Sequence, residues 1–187
     1  VLLRRVGDRR LLAEVVRERS TTEQLQEFGE ERIGAPIARP HQILCIGLNY
    51  SDHAAETGAA VPEEPILFTK SPNTLIGPND DVRIPRGSTK LDWEVELGVV
   101  IGKRARNVAA SEAMDYVFGY VNFIDGSARG LPPSNNVFFQ MKSRDTFAPI
   151  GPYLVTKDEI KDPHSLQVRL FNNGLLRQNF NTSDMAH

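Results

Sequence analysis

Between Asp92 and Ile101 the chain reads Asp-Trp-Glu-Val-Glu-Leu-Gly-Val-Val-Ile, three acids alternating with apolar residues ahead of an apolar run. Side chains two apart share a face only in an extended strand. The spacing therefore predicts a strand over residues 91–101, with Asp92, Glu94 and Glu96 on one face and Trp93, Val95 and Leu97 on the other. Its apolar continuation predicts a central place in a sheet. Alternating charges ordinarily face water. Here three like charges crowd one face, and no basic residue is interleaved to relieve their repulsion. A further acid, Asp125, closes the apolar run Tyr120-Val121-Asn122-Phe123-Ile124, where solvent exposure is not expected. Three carboxylates converging without His or Cys suit a hard cation: Mg²⁺ or Mn²⁺, with Ca²⁺ as a third candidate.

The rest of the chain is also strand-rich. A buried strand is predicted over 43–49, a short helix over 51–56 ending at Gly58, and a strand over 66–70. A second short helix is predicted over 111–116 with Ser111 as its cap, then a strand over 120–125 and a loop over 126–136. Gly151-Pro152 opens a strand through Val155. Leu166, Val168 and Leu170 alternate into Asn173-Gly174, a favoured two-residue hairpin turn. Residues 1–40 are charge-rich, with one capped helix predicted from Thr21 to Phe28, and read as a small N-terminal appendage. Residues 41–187 form the main domain. The class is mixed α/β, strand-dominated, with short peripheral helices.

Composition excludes several functions. A net charge of −2 over 187 residues, without a basic cluster, argues against nucleic acid as a partner. A single cysteine, Cys45, rules out an intrachain disulfide and reads as a buried, inert thiol. No apolar stretch nears the roughly 20 residues of a membrane-spanning helix, and no secretory signal is visible, so a cytoplasmic protein is expected. The glycine-rich phosphate and dinucleotide loops are missing, as is the serine nucleophile elbow.

Six motifs occur in order: Gly47-Leu48-Asn49-Tyr50-Ser51-Asp52-His53, the Asp92 to Leu97 strand, Asp125-Gly126-Ser127-Ala128-Arg129, Lys142-Ser143-Arg144-Asp145-Thr146, Pro149-Ile150-Gly151-Pro152 and Asn181-Thr182-Ser183-Asp184-Met185. Together they resemble the fumarylacetoacetate hydrolase family from about Ile43 onward. The resemblance implies a β-roll or barrel-like core and metal ligation by Glu94, Glu96 and Asp125. It implies a catalytic dyad of His53 and Glu56 on a mobile lid, and an oxyanion-stabilising role for Lys142. Lys70 and Arg129 are implied to meet anionic groups of the substrate, and the protein to be a homodimer. Family members continue past the Thr-Ser-Asp-Met motif, so residues 41–187 are expected to lack a C-terminal portion of the domain. One departure stands out: Pro132 occupies a position where the family often has Gln.

His53 and Glu56 are three apart on a helix, so they share a face. A carboxylate beside an imidazole orients it and raises its basicity, although such pairs are common on surfaces. His41, His164 and His187 have no comparable neighbours and read as structural or surface residues. The implied activity is hydrolysis of a C–C bond in a 2,4-dioxo acid, an acylpyruvate-like 2-oxo acid, through a metal-bound enolate. Isomerisation or decarboxylation of 2-oxo diacids on the same site is the alternative. A non-catalytic, metal-stabilised binding domain or inactive fragment is the reading from another class.

Overall fold

The computed structural model describes residues 32–131 and 137–187. The expected helix near Thr21, most of the 1–40 appendage and Pro132 lie outside the described residues. No helix among the described residues is long and apolar enough to cross a membrane.

The apolar run ending at Ile124 forms the longest buried strand, β6 (Val117–Ile124), three residues longer at its start than its pattern suggested. It pairs antiparallel with β5 (Val95–Ile101) on one side and β8 (Ala148–Thr156) on the other. The two-residue β3 (Leu75–Ile76) joins β8 in parallel, giving a four-stranded sheet in the order β3-β8-β6-β5. Val121 and Phe123 of β6 pack with Ala148 and Ile150 of β8 as the core, against Ile43, Leu75, Val100 and Leu154. Burying side chains of this size supplies the main favourable folding term, roughly 1.5–3 kcal/mol each.

Two features of the acidic strand differ from expectation. It is not continuous: β4 (Lys90–Asp92) pairs with β7 (Ser127–Arg129), Trp93 and Glu94 lie between strands, and β5 starts at Val95. Nor is β5 central. It is an edge strand, with Val99 50% and Ile101 58% exposed. An apolar run suits a strand with covered faces, and it does not say which strand lies alongside.

β1 (Ile43–Gly47) ends earlier than predicted and, among the described residues, pairs with β2 (Ile66–Lys70) alone; Leu44 and Ile46 are exposed rather than buried. Helix α1 (Ser51–Thr57) ends at Gly58, whose φ of 67° is the left-handed cap conformation that glycine adopts at no steric cost. The predicted helix near Ser111 is a 3₁₀ segment, Ala110–Tyr116, with Ala109 at its N-cap and no side-chain cap. A one-turn helix α2 (Phe138–Lys142) precedes β8. β9 (Gln167–Asn172) and β10 (Leu175–Asn181) form the expected hairpin; Asn173 and Gly174 both have positive φ, as its tight turn requires. Strands thus dominate and helices are short, but the described strands form one four-stranded and three two-stranded sheets, not a closed barrel.

Candidate active site

The β4–β7 pairing sets Asp92 opposite Ser127. Just beyond it, the Asp125 N–H donates to the Glu94 carbonyl at 2.8 Å, so the backbone fixes these two acids beside each other. Two lysines then arrive from different elements. Lys142, the last residue of α2, donates to Glu94 Oε2 at 2.6 Å, Asp125 Oδ2 at 2.6 Å and Ser127 Oγ at 3.0 Å. Its ammonium also lies 5.4 Å from the Phe68 ring centroid. Lys70, the last residue of β2, donates to Asp125 Oδ1 at 2.5 Å, the Lys142 carbonyl at 2.7 Å and the Gly126 carbonyl at 3.3 Å. An ammonium carries three donors, and both lysines use all of them. Arg129 completes the set, with Nε to Asp92 Oδ2 at 2.6 Å and Nη2 to Glu94 Oε1 at 2.8 Å.

The charges do not balance. Four acids, Asp92, Glu94, Glu96 and Asp125, share a neighbourhood with three bases, Lys70, Arg129 and Lys142. Glu96 is the acid left over: among the described residues no hydrogen bond or ion pair engages its side chain. Burial pushes its carboxyl up to about 8, with the charges of Glu94 and Asp125 adding to the effect and Lys142 only partly offsetting it. Burial works against the charge on Lys142 as well, but Asp125 and Glu94 outweigh it and hold the ammonium above the ordinary lysine range. Cys45, half-buried on β1, has its thiol pushed up to about 12 by burial and then by the nearby Asp125 charge. A thiol raised in this way stays protonated at neutral pH, although Cys45 is half-buried and not fully buried as expected.

Oxygen donors alone suit a hard divalent cation, and one entering beside Glu96 would take the place of the proton that burial keeps on its carboxyl. The donor chemistry therefore fits. The arrangement of the oxygens is that of an ammonium bridge: among the described residues no three His, Cys, Asp or Glu side chains are gathered as a ligand set.

His53 and Glu56 sit on α1, with Nδ1 and Oε2 3.8 Å apart and both side chains largely exposed. Among the described residues no hydrogen bond or ion pair joins either side chain to the carboxylates. What holds α1 is the closing motif: Asp184 Oδ2 accepts from the Asp52 N–H at 2.9 Å, and the Asn49 carbonyl accepts from the Ala186 N–H at 2.7 Å. Lys70 was expected to meet an anionic substrate group. Its side chain is wholly buried, and its partners are Asp125 and two backbone carbonyls. Arg129 is part-exposed but already pairs with two acids.

Three contributors were given no role from the sequence, although Ser127 and Tyr50 stand within its motifs. Ser127 is fully buried against Lys142 and Glu94. Tyr50, at the N-cap of α1, has its hydroxyl pushed up to about 12 by burial and then by the charge of Glu96. Gln178, on β10, accepts from the Val95 N–H at 2.9 Å. A groove of about 660 Å³ between the four-stranded sheet and β9 touches the acidic cluster only at Glu96.

A family model described as "Fumarylacetoacetate (FAA) hydrolase C-terminal" matches residues 42–187. The chain belongs to the fumarylacetoacetate hydrolase family. It is 48% identical over 154 residues to an oxaloacetate tautomerase, fahd2, described as mitochondrial, from Xenopus laevis, covering 81% of this chain and 48% of the relative. Among solved structures of the family, a 2-hydroxyhepta-2,4-diene-1,7-dioate isomerase from Mycobacterium marinum aligns with a TM-score of 0.73 and 35% identity, over 83% of this chain and 56% of that one. A maleylpyruvate hydrolase from Sphingobium sp. SYK-6, solved with manganese(II) and pyruvate, aligns with a TM-score of 0.68 and 35% identity, over 81% and 52%. The chain spans about half the length of these relatives, and they include a hydrolase, an isomerase and a tautomerase.

Proposed function

We propose that this chain carries the metal-binding part of an enzyme that hydrolyses a C–C bond in an acylpyruvate-type 2,4-dioxo acid. The observation behind this reading is the cluster of four acids in which, among the described residues, Glu96 alone has no basic partner. Glu94, Glu96 and Asp125 would hold Mg²⁺ or Mn²⁺, and the bound cation would supply Lewis acidity toward a 2-oxo acid. The manganese and pyruvate in the solved hydrolase relative support that choice of metal and substrate class.

In this reading the bound cation would draw the Glu94 and Asp125 oxygens away from Lys142, freeing its donors and leaving its positive charge beside the reacting carbonyl. Its raised affinity for the proton suits it to stabilise an oxyanion rather than to act as a base, a task worth about 3–4 kcal/mol for one well-placed donor. His53, oriented by Glu56, takes the proton from a water attacking the distal carbonyl and passes it to the departing carbon. Arg129 borders the cluster and is part-exposed; a cation that drew Glu94 away would leave its Nη2 donor for a substrate carboxylate. A homodimer forms part of the proposal, and the exposed apolar residues Leu44, Ile46, Val99 and Ile101 offer surface for it.

A second reading, tautomerisation or isomerisation of a 2-oxo diacid, is favoured by the 48% identical tautomerase. It uses the same residues, with His53 moving a proton on carbon instead of activating water. The test is turnover of acetylpyruvate, oxaloacetate and an unsaturated 2-oxo diacid with Mn²⁺, before and after chelation. Metal-dependent release of pyruvate from acetylpyruvate is expected. Enol–keto interconversion of oxaloacetate without cleavage would select the second reading, and no metal-dependent turnover on any of the three would end both.

A further inference from the structure

We infer that Gln178 is a positioning residue for Glu94 and Glu96, acting through the backbone of Val95 between them; the inference rests on the metal reading above. The Glu94 carbonyl accepts from the Asp125 N–H, so the backbone there faces β6. Along a strand the next residue's polar groups face the opposite way. The Val95 N–H therefore points to the free side of β5, where no strand among the described residues pairs with it.

Gln178 Oε1 accepts that N–H at 2.9 Å. Among the described residues it is the one hydrogen bond between the β9–β10 hairpin and β5. The hairpin is shaped for it: the β9–β10 register shifts between Leu176 and Gln178, and a shift of this kind re-aims the side chain that follows. Val95 is thus gripped from β10 while Glu94 is gripped from Asp125. The short stretch carrying both glutamates is pinned from two sides at the point where it passes from β4 to β5. Without the amide, Val95 would keep its packing but lose the restraint on the torsions that aim the flanking carboxylates.

The experiment uses the full chain and Mn²⁺ as the probe, reading affinity by calorimetry and hydrogen exchange at the Val95 and Phe123 amides. Gln178→Met keeps the length and removes the acceptor; Gln178→Glu keeps an acceptor oxygen. With Met, exchange at Val95 should accelerate while Phe123 on β6 stays protected, and Mn²⁺ binding should weaken about 10–100-fold, as for other outer partners of metal ligands. Gln178→Glu should restore both. Unchanged Mn²⁺ affinity despite faster Val95 exchange would overturn the inference, and so would equal loss of protection at both amides, the mark of a merely structural role. Should the unmodified chain bind no Mn²⁺, the ligand assignment itself fails; should it bind and Gln178→Met bind equally, this inference alone fails.

Discussion

The ammonium groups of Lys70 and Lys142 are each held by three acceptors inside the protein, whereas His53 and Glu56 stand in solvent with a single 3.8 Å contact between them. One region has its geometry set by folding. The other has its helix set, through Asp184 and Asn49, while the His53 and Glu56 side chains are largely exposed. That division suits the proposed chemistry. Charge stabilisation works best from fixed groups that need no reorganisation. A proton-transferring pair on a short helix can wait for substrate before it adopts its working geometry. The prediction is that the two regions separate cleanly when stability and activity are measured on the same variants.

The largest effect on stability belongs to Lys70. Replacing it with Met leaves Asp125 buried without the cation at its Oδ1, and breaking a buried pair by removing one partner typically costs about 3–5 kcal/mol. Urea unfolding of Lys70→Met should show a loss of that order. A loss below about 1 kcal/mol would mean that the interior reorganises freely, and the contrast between the two regions would weaken.

Next comes the pH dependence set by Glu96, whose folded carboxyl is raised from 4.5 to about 8. Below the unfolded value both states are protonated and the group is neutral in the balance. Between the two values the unfolded chain releases the proton and the folded chain retains it, so stability falls as pH rises, by up to about 1.4 kcal/mol per unit. A divalent cation replaces that proton. The rise in Tm on adding Mn²⁺ should therefore be larger at pH 8 than at pH 5.5, and Glu96→Gln should flatten the metal-free slope. A slope unchanged by that substitution would show that Glu96 is not the acid left over.

Much of this arrangement was visible in the residues alone, and the exceptions have physical causes. Alternation placed Asp92 and Glu94 together, and Arg129 bridges both. The interruption at Trp93 and Glu94 was invisible because a strand handed from one partner to another keeps its period of two. The edge position of β5 was misread because an apolar sequence reports burial and not which strand lies alongside. A lysine after an apolar run looks the same whether it reaches water or turns inward, so the burial of Lys70 needed coordinates. Ser127 and Gln178 act through one hydroxyl and one amide, groups that leave no periodic trace. The hairpin was legible to the residue because Asn-Gly satisfies its turn locally, without help from the rest of the fold.

The smallest effect is the most informative about the exposed region. Surface ion pairs contribute roughly 0.2–1 kcal/mol, and an i,i+3 pair on a short helix lies at the low end. His53→Ala, Glu56→Ala and the double variant should therefore unfold within about 0.5 kcal/mol of the unmodified chain, and Mn²⁺ affinity should stay within a few-fold. The same His53→Ala protein should lose turnover by a factor of about 10²–10⁴, the usual contribution of a positioned acid–base group. If stability fell by several kcal/mol, His53 would be packed more tightly than its exposure indicates, and its loss of activity would report folding. If neither stability nor turnover moved, the pair would be ordinary helix surface, and the proton-transferring group would have to be sought nearer the acids, with Tyr50, whose hydroxyl feels the Glu96 charge, as the first to test.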